Sequence, residues 1–286
     1  MTMGEGSSRW DWESRWPAPA KLNLFLHVTG RRPDGYHLLQ TVFCLIDRTD
    51  TLRFQPRSDD QIVLATPLPG VPPESDLTVR AARLLQAETG CTQGATMTLE
   101  KNLPMGGGLG GGSSDAATVL LALNHLWQLG LSRPRLQALG LTLGADVPVF
   151  IHGQNVFAEG IGEDFTPVSL PPTHYLVAEP PVQVPTPVIF SAPELRRDTP
   201  AMRPADWRPG MGGNDLQAVA AARFPEVAAC LKNLSRLGEA RMTGSGACVF
   251  VPFSSAEAAQ AALRQIPDGL RAWVASGLTA HPLAQI

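Results

Sequence analysis

The chain has 286 residues, of which 44% are hydrophobic and 17% are charged, with 27 glycines and 26 prolines. Such a length predicts about two domains, and the composition excludes a disordered or collagen-like protein. The formal net charge of −3 argues against a general nucleic-acid-binding protein, because neutralising a phosphate backbone requires a basic surface.

The N-terminal segment and the cysteines favour a cytoplasmic protein. Residues 1–16 lack the uninterrupted apolar run of a signal peptide, and no stretch approaches the roughly 20 apolar residues of a membrane span. The cysteines are far apart in sequence and show no metal-binding spacing, which is typical of a reducing compartment. They are Cys44, Cys91, Cys230 and Cys248. We therefore expect no membrane partner.

The first predicted elements are mainly strands. Apolar residues alternate over positions 20–28, which predicts a strand that points Lys21 and Asn23 to the same side. Pro33, Asp34 and Gly35 then form a turn signal. Further strands are predicted at 41–45, 51–54 and 62–65, followed by a helix that Ser75 or Asp76 caps and that runs through residue 85.

A glycine-rich loop follows the next predicted strand, at 95–100. It reads Pro104, Met105, Gly106, Gly107, Gly108, Leu109, Gly110, Gly111, Gly112, Ser113, Ser114 and Asp115. The last three residues are good N-terminal caps, so we predict a buried helix over 116–129 that they cap. Glycines let successive N–H groups converge on an anion, and a helix N-terminus adds its dipole. The pattern favours a phosphate-binding loop over a flexible linker or a tight packing turn.

Two common phosphate-binding motifs can be eliminated. A P-loop requires a lysine directly after Gly112, where this chain has Ser113. A dinucleotide-binding fold requires a ribose-binding acid about 20 residues after the glycines. No Asp or Glu lies between Asp115 and Asp146, so a Rossmann dehydrogenase is disfavoured.

The remainder of the chain predicts a second, α+β domain. A proline-rich stretch at 167–209 indicates a crossing between domains, with one strand at 174–178. After it, helices are predicted at 216–231 and 255–265, a turn followed by a strand within 241–251, and a final strand at 272–275. Alternating helices and strands suit a compact α+β domain.

Three motifs resemble those of the galactokinase, homoserine kinase, mevalonate kinase and phosphomevalonate kinase (GHMP) superfamily. They lie at residues 17–24, 104–115 and 243–247. Within that superfamily, residues 34–37, 144–148 and 185–187 are similar to the 4-diphosphocytidyl-2-C-methyl-D-erythritol kinase family of the non-mevalonate isoprenoid pathway. The motifs extend over nearly the whole chain.

The resemblance implies an architecture and a reaction. The architecture is a two-domain α+β GHMP fold, with a ribosomal-protein-like nucleotide domain at 1–160, a ferredoxin-like domain at 161–286, and the site in the cleft between them. The reaction is ATP-dependent phosphorylation of the C2 hydroxyl of the cytidyl sugar alcohol, giving the 2-phosphate and ADP. The partners are then two small molecules, and we expect a monomer or a weak homodimer.

Lys21 and Asp146 are the candidate catalytic residues. Lys21 lies in a predicted strand, where a lysine is commonly a surface side chain. Asp146 lies in an apolar segment, where a carboxylate needs a charged or hydrogen-bonding partner, unless it caps a helix. Phosphoryl transfer requires positioning, charge stabilisation and a group that orients or deprotonates the hydroxyl. The resemblance implies that Asp146 acts on the hydroxyl as base or positioner, while Lys21 favours the ionised carboxylate and stabilises developing charge.

The resemblance also implies two binding sets. ATP is held by Lys101 and by the loop from Pro104 to Ser114, with Ser113 or Ser114 near Mg²⁺. The cytidyl pocket is lined by Asn23, Tyr36, His37, Thr186 and Phe190. Taken singly, Tyr36 and His37 also fit an exposed turn and Phe190 a core position.

Some alternatives remain open. A sister kinase for homoserine or mevalonate shares the superfamily motifs, although a pocket built for a base argues against it. A non-catalytic nucleotide-binding module has little need for both Lys21 and Asp146. One departure from the family is Asp76, where asparagine is usual. The aspartate either changes the affinity for the nucleotide or caps a helix, a role that both residues serve equally well.

Overall fold

The computed structural model describes residues 10–286, so residues 1–9 of the segment predicted to lack a signal peptide lie outside the described part. The strands are β1 Trp16–Arg31, β2 His37–Arg57, β3 Ile62–Leu64, β4 Gly94–Glu100, β5 Val156–Glu159, β6 Asp164–Pro167, β7 His174–Glu179, β8 Arg241–Met242, β9 Val249–Phe253 and β10 Arg271–Ser276. The helices are α1 Leu77–Thr89, α2 Gly111–Leu126, α3 Arg133–Leu143, α4 Val147–His152, α5 Thr186–Phe190, α6 Asp215–Arg223, α7 Pro225–Leu234 and α8 Ala256–Leu263.

The long strand β2 organises a six-stranded sheet. Along one side it pairs antiparallel with β1, which places Lys21 opposite Leu45 and Asn23 opposite Phe43. Along the other side it pairs with β4 and β5, while β3 and β6 extend the sheet beyond these two strands. The segments predicted as separate strands at 41–45 and 51–54 therefore form one strand.

Helix α2 is the central helix of the group that packs against the six-stranded sheet. It contacts β1, β2, α1, α3 and α4, and its residues from Ser114 to Leu123 are all buried. A helix that is apolar on nearly every side is stable only inside such a group. The glycine loop, which leads directly into α2, is thereby fixed against β1.

The second sheet has the order β10-β7-β9-β8 and is antiparallel throughout. Helices α7 and α8 pack on it. Two sheets with helices against them confirm the predicted α+β class. Because β6 belongs to the first sheet, that sheet continues past residue 160, and the exact domain boundary stays a prediction.

One predicted helix is divided in the structure, and one predicted strand is joined by a second. The helix predicted at 216–231 breaks between α6 and α7, where Pro225 follows Phe224. Proline has no N–H to donate and disfavours the helical conformation of the residue before it, and Phe224 is extended at φ −127° and ψ 96°. At 241–251 the strand predicted after a turn is β9, and the structure adds the short strand β8 before that turn. Within residues 10–286, no helix is long and apolar enough to cross a membrane.

Candidate active site

A cavity of about 920 Å³ lies where β1, the glycine loop, α5 and the turn between β8 and β9 meet. Of the predicted site residues, those that line it are Lys21, Asn23, Tyr36, His37, Lys101, Pro104, Met105, Gly106, Gly107, Gly108, Leu109, Gly110, Gly111, Gly112, Ser113, Asp146, Thr186 and Phe190. Ser114 is fully buried and does not line the cavity. The structure therefore brings both predicted binding sets and the predicted catalytic pair to one cavity.

The glycine loop is held between the two halves of the molecule. On one side, the backbone N–H of Lys21 donates to the carbonyl of Leu109 at 3.0 Å. On the other, the N–H of Cys248 donates to the carbonyl of Gly107 at 3.1 Å. Gly108 has φ +74°, and a side chain there would overlap the carbonyl oxygen of Thr243. The close approach of two backbones explains why this position is a glycine.

The prediction that Ser113, Ser114 and Asp115 cap the following helix is wrong. Helix α2 begins earlier, at Gly111, and is preceded by Gly110 in the left-handed conformation with φ +72° and no side-chain cap. The loop enters the helix through a glycine because other residues adopt that conformation only at a cost. The first N–H groups of α2 are consequently left without a side-chain acceptor, an arrangement that suits an anion.

Lys21 and Asp146 form an ion pair at the cavity wall. Lys21 Nζ lies 3.3 Å from Asp146 Oδ2. It also donates to Asn23 Oδ1 at 2.5 Å and to the carbonyl of Gly108 at 3.1 Å. The lysine side chain is 2% exposed and the aspartate 36%, so the ammonium is enclosed while the carboxylate faces the cavity.

The neighbours of Lys21 and Asp146 favour a catalytic site over a surface lysine and a helix-capping aspartate. Asp146 directly precedes α4, yet its side chain makes no capping hydrogen bond to that helix. Asn23 donates to Thr41 Oγ1 at 2.9 Å, which fixes the amide that accepts from Lys21. Lys21 is thus buried and held by a network of hydrogen bonds and one ion pair, and it does not lie on the surface.

Lys101 is shared by two buried carboxylates, Asp50 and Asp115. Its Nζ donates to Asp115 Oδ2 at 2.8 Å and also to Asp50 Oδ2. Burial lowers the pKa of Lys101, but the attraction of Asp115 and Asp50 outweighs this and raises it. Burial raises the pKa of Asp115 above its usual value although the charge of Lys101 lowers it, and the negative charge of Asp50 acts in the same direction as burial. This three-residue group, the Lys101 cluster, borders the glycine loop.

Asp50 also holds the chain that leads into the loop. Its Oδ1 accepts from the backbone N–H of Asn102 at 2.6 Å and of Leu103 at 2.8 Å. One carboxylate therefore links β2 to residues 101–103, which come directly before the loop that starts at Pro104. Sequence reasoning missed Asp50, because a lone aspartate in a strand carries no motif.

The cavity is also lined by aromatic residues. The rings of His37 and Phe190 have centroids 5.0 Å apart, and Tyr36 beside them is 60% exposed. Thr186 Oγ1 lies 2.7 Å from Ser245 Oγ, joining the start of α5 to the turn between β8 and β9. These side chains form an open, partly aromatic wall with polar groups at its edge.

Asp76, the departure noted above, caps helix α1. Its Oδ1 accepts from the N–H of Thr78 at 2.8 Å and of Val79 at 3.4 Å. The capping interpretation of this aspartate is confirmed.

Comparison with known proteins decides the family. The chain is 69% identical to the 4-diphosphocytidyl-2-C-methyl-D-erythritol kinase of Dechloromonas aromatica, over 95% of this chain and 99% of the relative. It is 60% identical to the enzyme of that name from Thiobacillus denitrificans, over 93% and 96%. The chain belongs to the 4-diphosphocytidyl-2-C-methyl-D-erythritol kinase family. It is accordingly a GHMP kinase, a phosphotransferase with ATP as co-substrate.

Domain and structure comparisons agree with this family. The model of the GHMP kinases N terminal domain matches residues 76–154, and that of the GHMP kinases C terminal domain matches residues 194–272. The crystal structure of a 4-(cytidine 5'-diphospho)-2C-methyl-D-erythritol kinase superposes with a TM-score of 0.80 at 36% identity, over 92% of this chain and 99% of that one. A mevalonate kinase structure shares only the fold, at 14% identity, a TM-score of 0.68, and coverage of 93% and 99%.

Proposed function

We propose that this chain phosphorylates the C2 hydroxyl of 4-diphosphocytidyl-2-C-methyl-D-erythritol with ATP, in the non-mevalonate route to isopentenyl diphosphate. The observation that carries the proposal is the position of the Lys21–Asp146 pair. It lies in the same cavity as a glycine loop suited to phosphates and an aromatic wall suited to a base. The names of relatives at 57–69% identity support the same substrate.

Asp146 and Lys21 are the proposed catalytic residues. The substrate hydroxyl oxygen attacks the γ-phosphorus while the bond to the ADP oxygen breaks, and the hydroxyl proton leaves towards Asp146 Oδ2. The exposed carboxylate accepts or orients that proton, and the enclosed ammonium stabilises the negative charge that develops nearby. Asn23 and the carbonyl of Gly108 hold the ammonium in place.

The ATP site is proposed at the glycine loop and Lys101. The backbone N–H groups at the start of α2, which lack a side-chain cap, support binding of the phosphates there. Lys101 adds a positive charge at the loop, although in this structure two carboxylates share it.

The residues next to the loop fit the Mg²⁺ ion that we propose with ATP. Ser113 offers a hydroxyl to the cavity, and Asp115 has an oxygen, Oδ1, that is buried without a hydrogen-bond partner. Oxygen ligands of this kind, completed by phosphate oxygens and water, are those that Mg²⁺ prefers. When bound, the ion neutralises charge on the transferred phosphate. Of the two predicted serines, Ser113 is the better candidate, because Ser114 does not line the cavity.

The cytidyl pocket is proposed at Asn23, Tyr36, His37, Thr186 and Phe190, of which Asn23 also accepts a hydrogen bond from Lys21. An aromatic ring such as Phe190 stacks on a pyrimidine, and the imidazole of His37 reaches its polar edge. The domain limits at 1–160 and 161–286, the cytoplasmic location and the monomeric or weakly dimeric state remain predictions.

An ADP-release assay with a panel of alcohols tests the function. The cytidyl sugar alcohol is expected to give ATP- and Mg²⁺-dependent ADP together with its 2-phosphate, while homoserine and mevalonate give none. Turnover of either of those acceptors in place of the cytidyl compound would contradict the proposal. Omission of Mg²⁺, with a chelator present, tests the metal separately.

A further inference from the structure

Arg197 lies behind the aromatic wall and bonds to it from outside the cavity. Its Nε donates to His37 Nε2 at 3.0 Å, although Arg197 itself does not line the cavity. Its Nη2 donates to the carbonyls of Phe190 at 2.9 Å and Ala192 at 2.7 Å, and its Nη1 donates to that of Leu195 at 2.9 Å. One guanidinium, 160 residues after His37, therefore joins that residue on β2 to the end of α5.

The contact with Arg197 determines where His37 carries its proton. A guanidinium is only a donor and does not lose its proton in proteins, so His37 Nε2 must be the acceptor. The imidazole is then neutral, with its hydrogen on Nδ1. Within the described residues Nδ1 has no hydrogen-bond partner, so this hydrogen is free to meet a ligand.

The electrostatic surroundings act in the same direction. Burial lowers the pKa of His37, and the positive charges of Arg197 and Arg31 lower it further. The neutral ring that the hydrogen bond requires is therefore also the form that its environment favours.

A single N–H donor distinguishes two pyrimidines. N3 of cytosine is a hydrogen-bond acceptor, whereas N3 of uracil carries a hydrogen and is a donor. An Nδ1–H group facing N3 thus pairs with cytosine and leaves two opposed donors with uracil. A site built to pair one hydrogen-bonding group rejects an analogue that leaves buried groups unpaired.

We propose that Arg197 is a positioning residue that holds His37 in the Nδ1-protonated tautomer and thereby makes the pocket select cytosine over uracil. The proposal rests on the proposed function, because it assumes that the pocket at His37 and Phe190 receives the base. It assigns a role to a residue that never touches the substrate.

The experiment compares Arg197→Gln with Arg196→Gln, a neighbouring arginine whose side chain is 58% exposed and pairs with Asp198. For each variant, kcat/KM is measured with the cytidyl substrate and with its uridyl analogue. Arg197→Gln is expected to reduce the cytidyl-to-uridyl ratio by about tenfold or more, mainly through KM, because the ring can then adopt either tautomer. Arg196→Gln is expected to keep the wild-type ratio.

A spectroscopic measurement distinguishes control of the His37 tautomer from a purely structural role of Arg197 at the end of α5. The ¹⁵N chemical shifts of His37 in the wild-type protein are expected to show a protonated Nδ1 and an unprotonated Nε2. A protonated Nε2 overturns the proposal even if Arg197→Gln does not fold. An unchanged ratio in a folded Arg197→Gln also overturns it, whereas a wild-type protein that does not phosphorylate the cytidyl substrate overturns the proposed function instead.

Discussion

Lys21 Nζ lies 3.3 Å from Asp146 Oδ2, and the two side chains differ sharply in exposure, at 2% and 36%. The cation is enclosed by β1, the glycine loop and the ring of Phe43, whose centroid is 5.4 Å from Nζ. An enclosed cation beside an accessible carboxylate is suited to stabilising charge without itself contacting bulk water. This asymmetry distinguishes the pair from an ordinary surface ion pair.

Removing either charge is expected to abolish turnover. Asp146→Asn removes the group that we propose accepts or orients the hydroxyl proton, and Lys21→Met removes the enclosed charge. Each is expected to lower kcat by about 100-fold or more, with the fold retained by circular dichroism. Lys232→Met, at an exposed lysine of α7, is the control. A rate near that of the wild type in either site variant would remove that residue from the mechanism.

A methyl group at Gly110 is expected to reduce activity more than stability. A Cβ there would lie 2.9 Å from Phe150 Cζ and 3.1 Å from Lys21 Cε, so Gly110→Ala pushes on the loop and on the lysine. The control is Gly130→Ala, since Gly130 has a similar φ of +69° but nothing within 4 Å of an added Cβ. Both changes bear the left-handed strain of about 1–2 kcal/mol. Only Gly110→Ala is expected to lower kcat/KM, and equal kinetics in the two variants would contradict the contact argument.

The sequence predicted the parts of the site that lie within motifs. The glycine loop is recognisable because its residues are consecutive, and Lys21 and Asn23 because strand alternation places them on one side. Asp50 and Arg197 were not predictable in this way. Each acts on a residue far along the chain, Asp50 on Lys101 and Arg197 on His37, and such pairs depend on strand register and loop path. The start of α2 was misplaced for a local reason, since serine and aspartate are usual caps but Gly110 supplies the turn instead.

In the Lys101 cluster, the effects of Asp50 and Asp115 on the free energy of unfolding are expected to be coupled. Asp115→Asn leaves Lys101 paired with Asp50 and removes the repulsion between two carboxylates, so its cost in unfolding free energy is expected to be small. Asp50→Asn is expected to cost more, because Asp50 Oδ1 also accepts from Asn102 and Leu103. The double variant leaves a largely buried ammonium without a counter-charge, which costs about 3–5 kcal/mol. Urea denaturation of the four proteins measures the coupling, and strictly additive effects would contradict a shared cation.

The same variants also test the nucleotide site. If Asp50 places Lys101 and the start of the loop, Asp50→Asn is expected to raise the KM for ATP several-fold and to leave the KM for the cytidyl substrate nearly unchanged. The reverse pattern would show that the cluster belongs to the second substrate.

A buried histidine at the C-terminal end predicts how stability depends on pH. Burial, together with the nearby charge of Arg133, lowers the pKa of His281 to about 3. The Nδ1 atom of His281 accepts from the N–H of Leu283 at 3.0 Å, and Arg133 donates to the carbonyls of Ile151 and Leu283. Protonation would place a second positive charge in this enclosed segment.

The sign follows from which state binds the proton. Between about pH 6.5 and pH 3 the unfolded chain protonates this histidine and the folded chain does not, so stability is complete above that range and falls as the pH is lowered. The fall is up to about 1.4 kcal/mol per pH unit from this group alone. His281→Asn keeps an acceptor for Leu283 but cannot be protonated, so its unfolding free energy is expected to fall less than that of the wild type between about pH 7 and pH 5, by about 2 kcal/mol. His174→Asn, at a half-buried histidine, serves as the control, and parallel pH profiles for wild type and His281→Asn would show that His281 is not the titrating group.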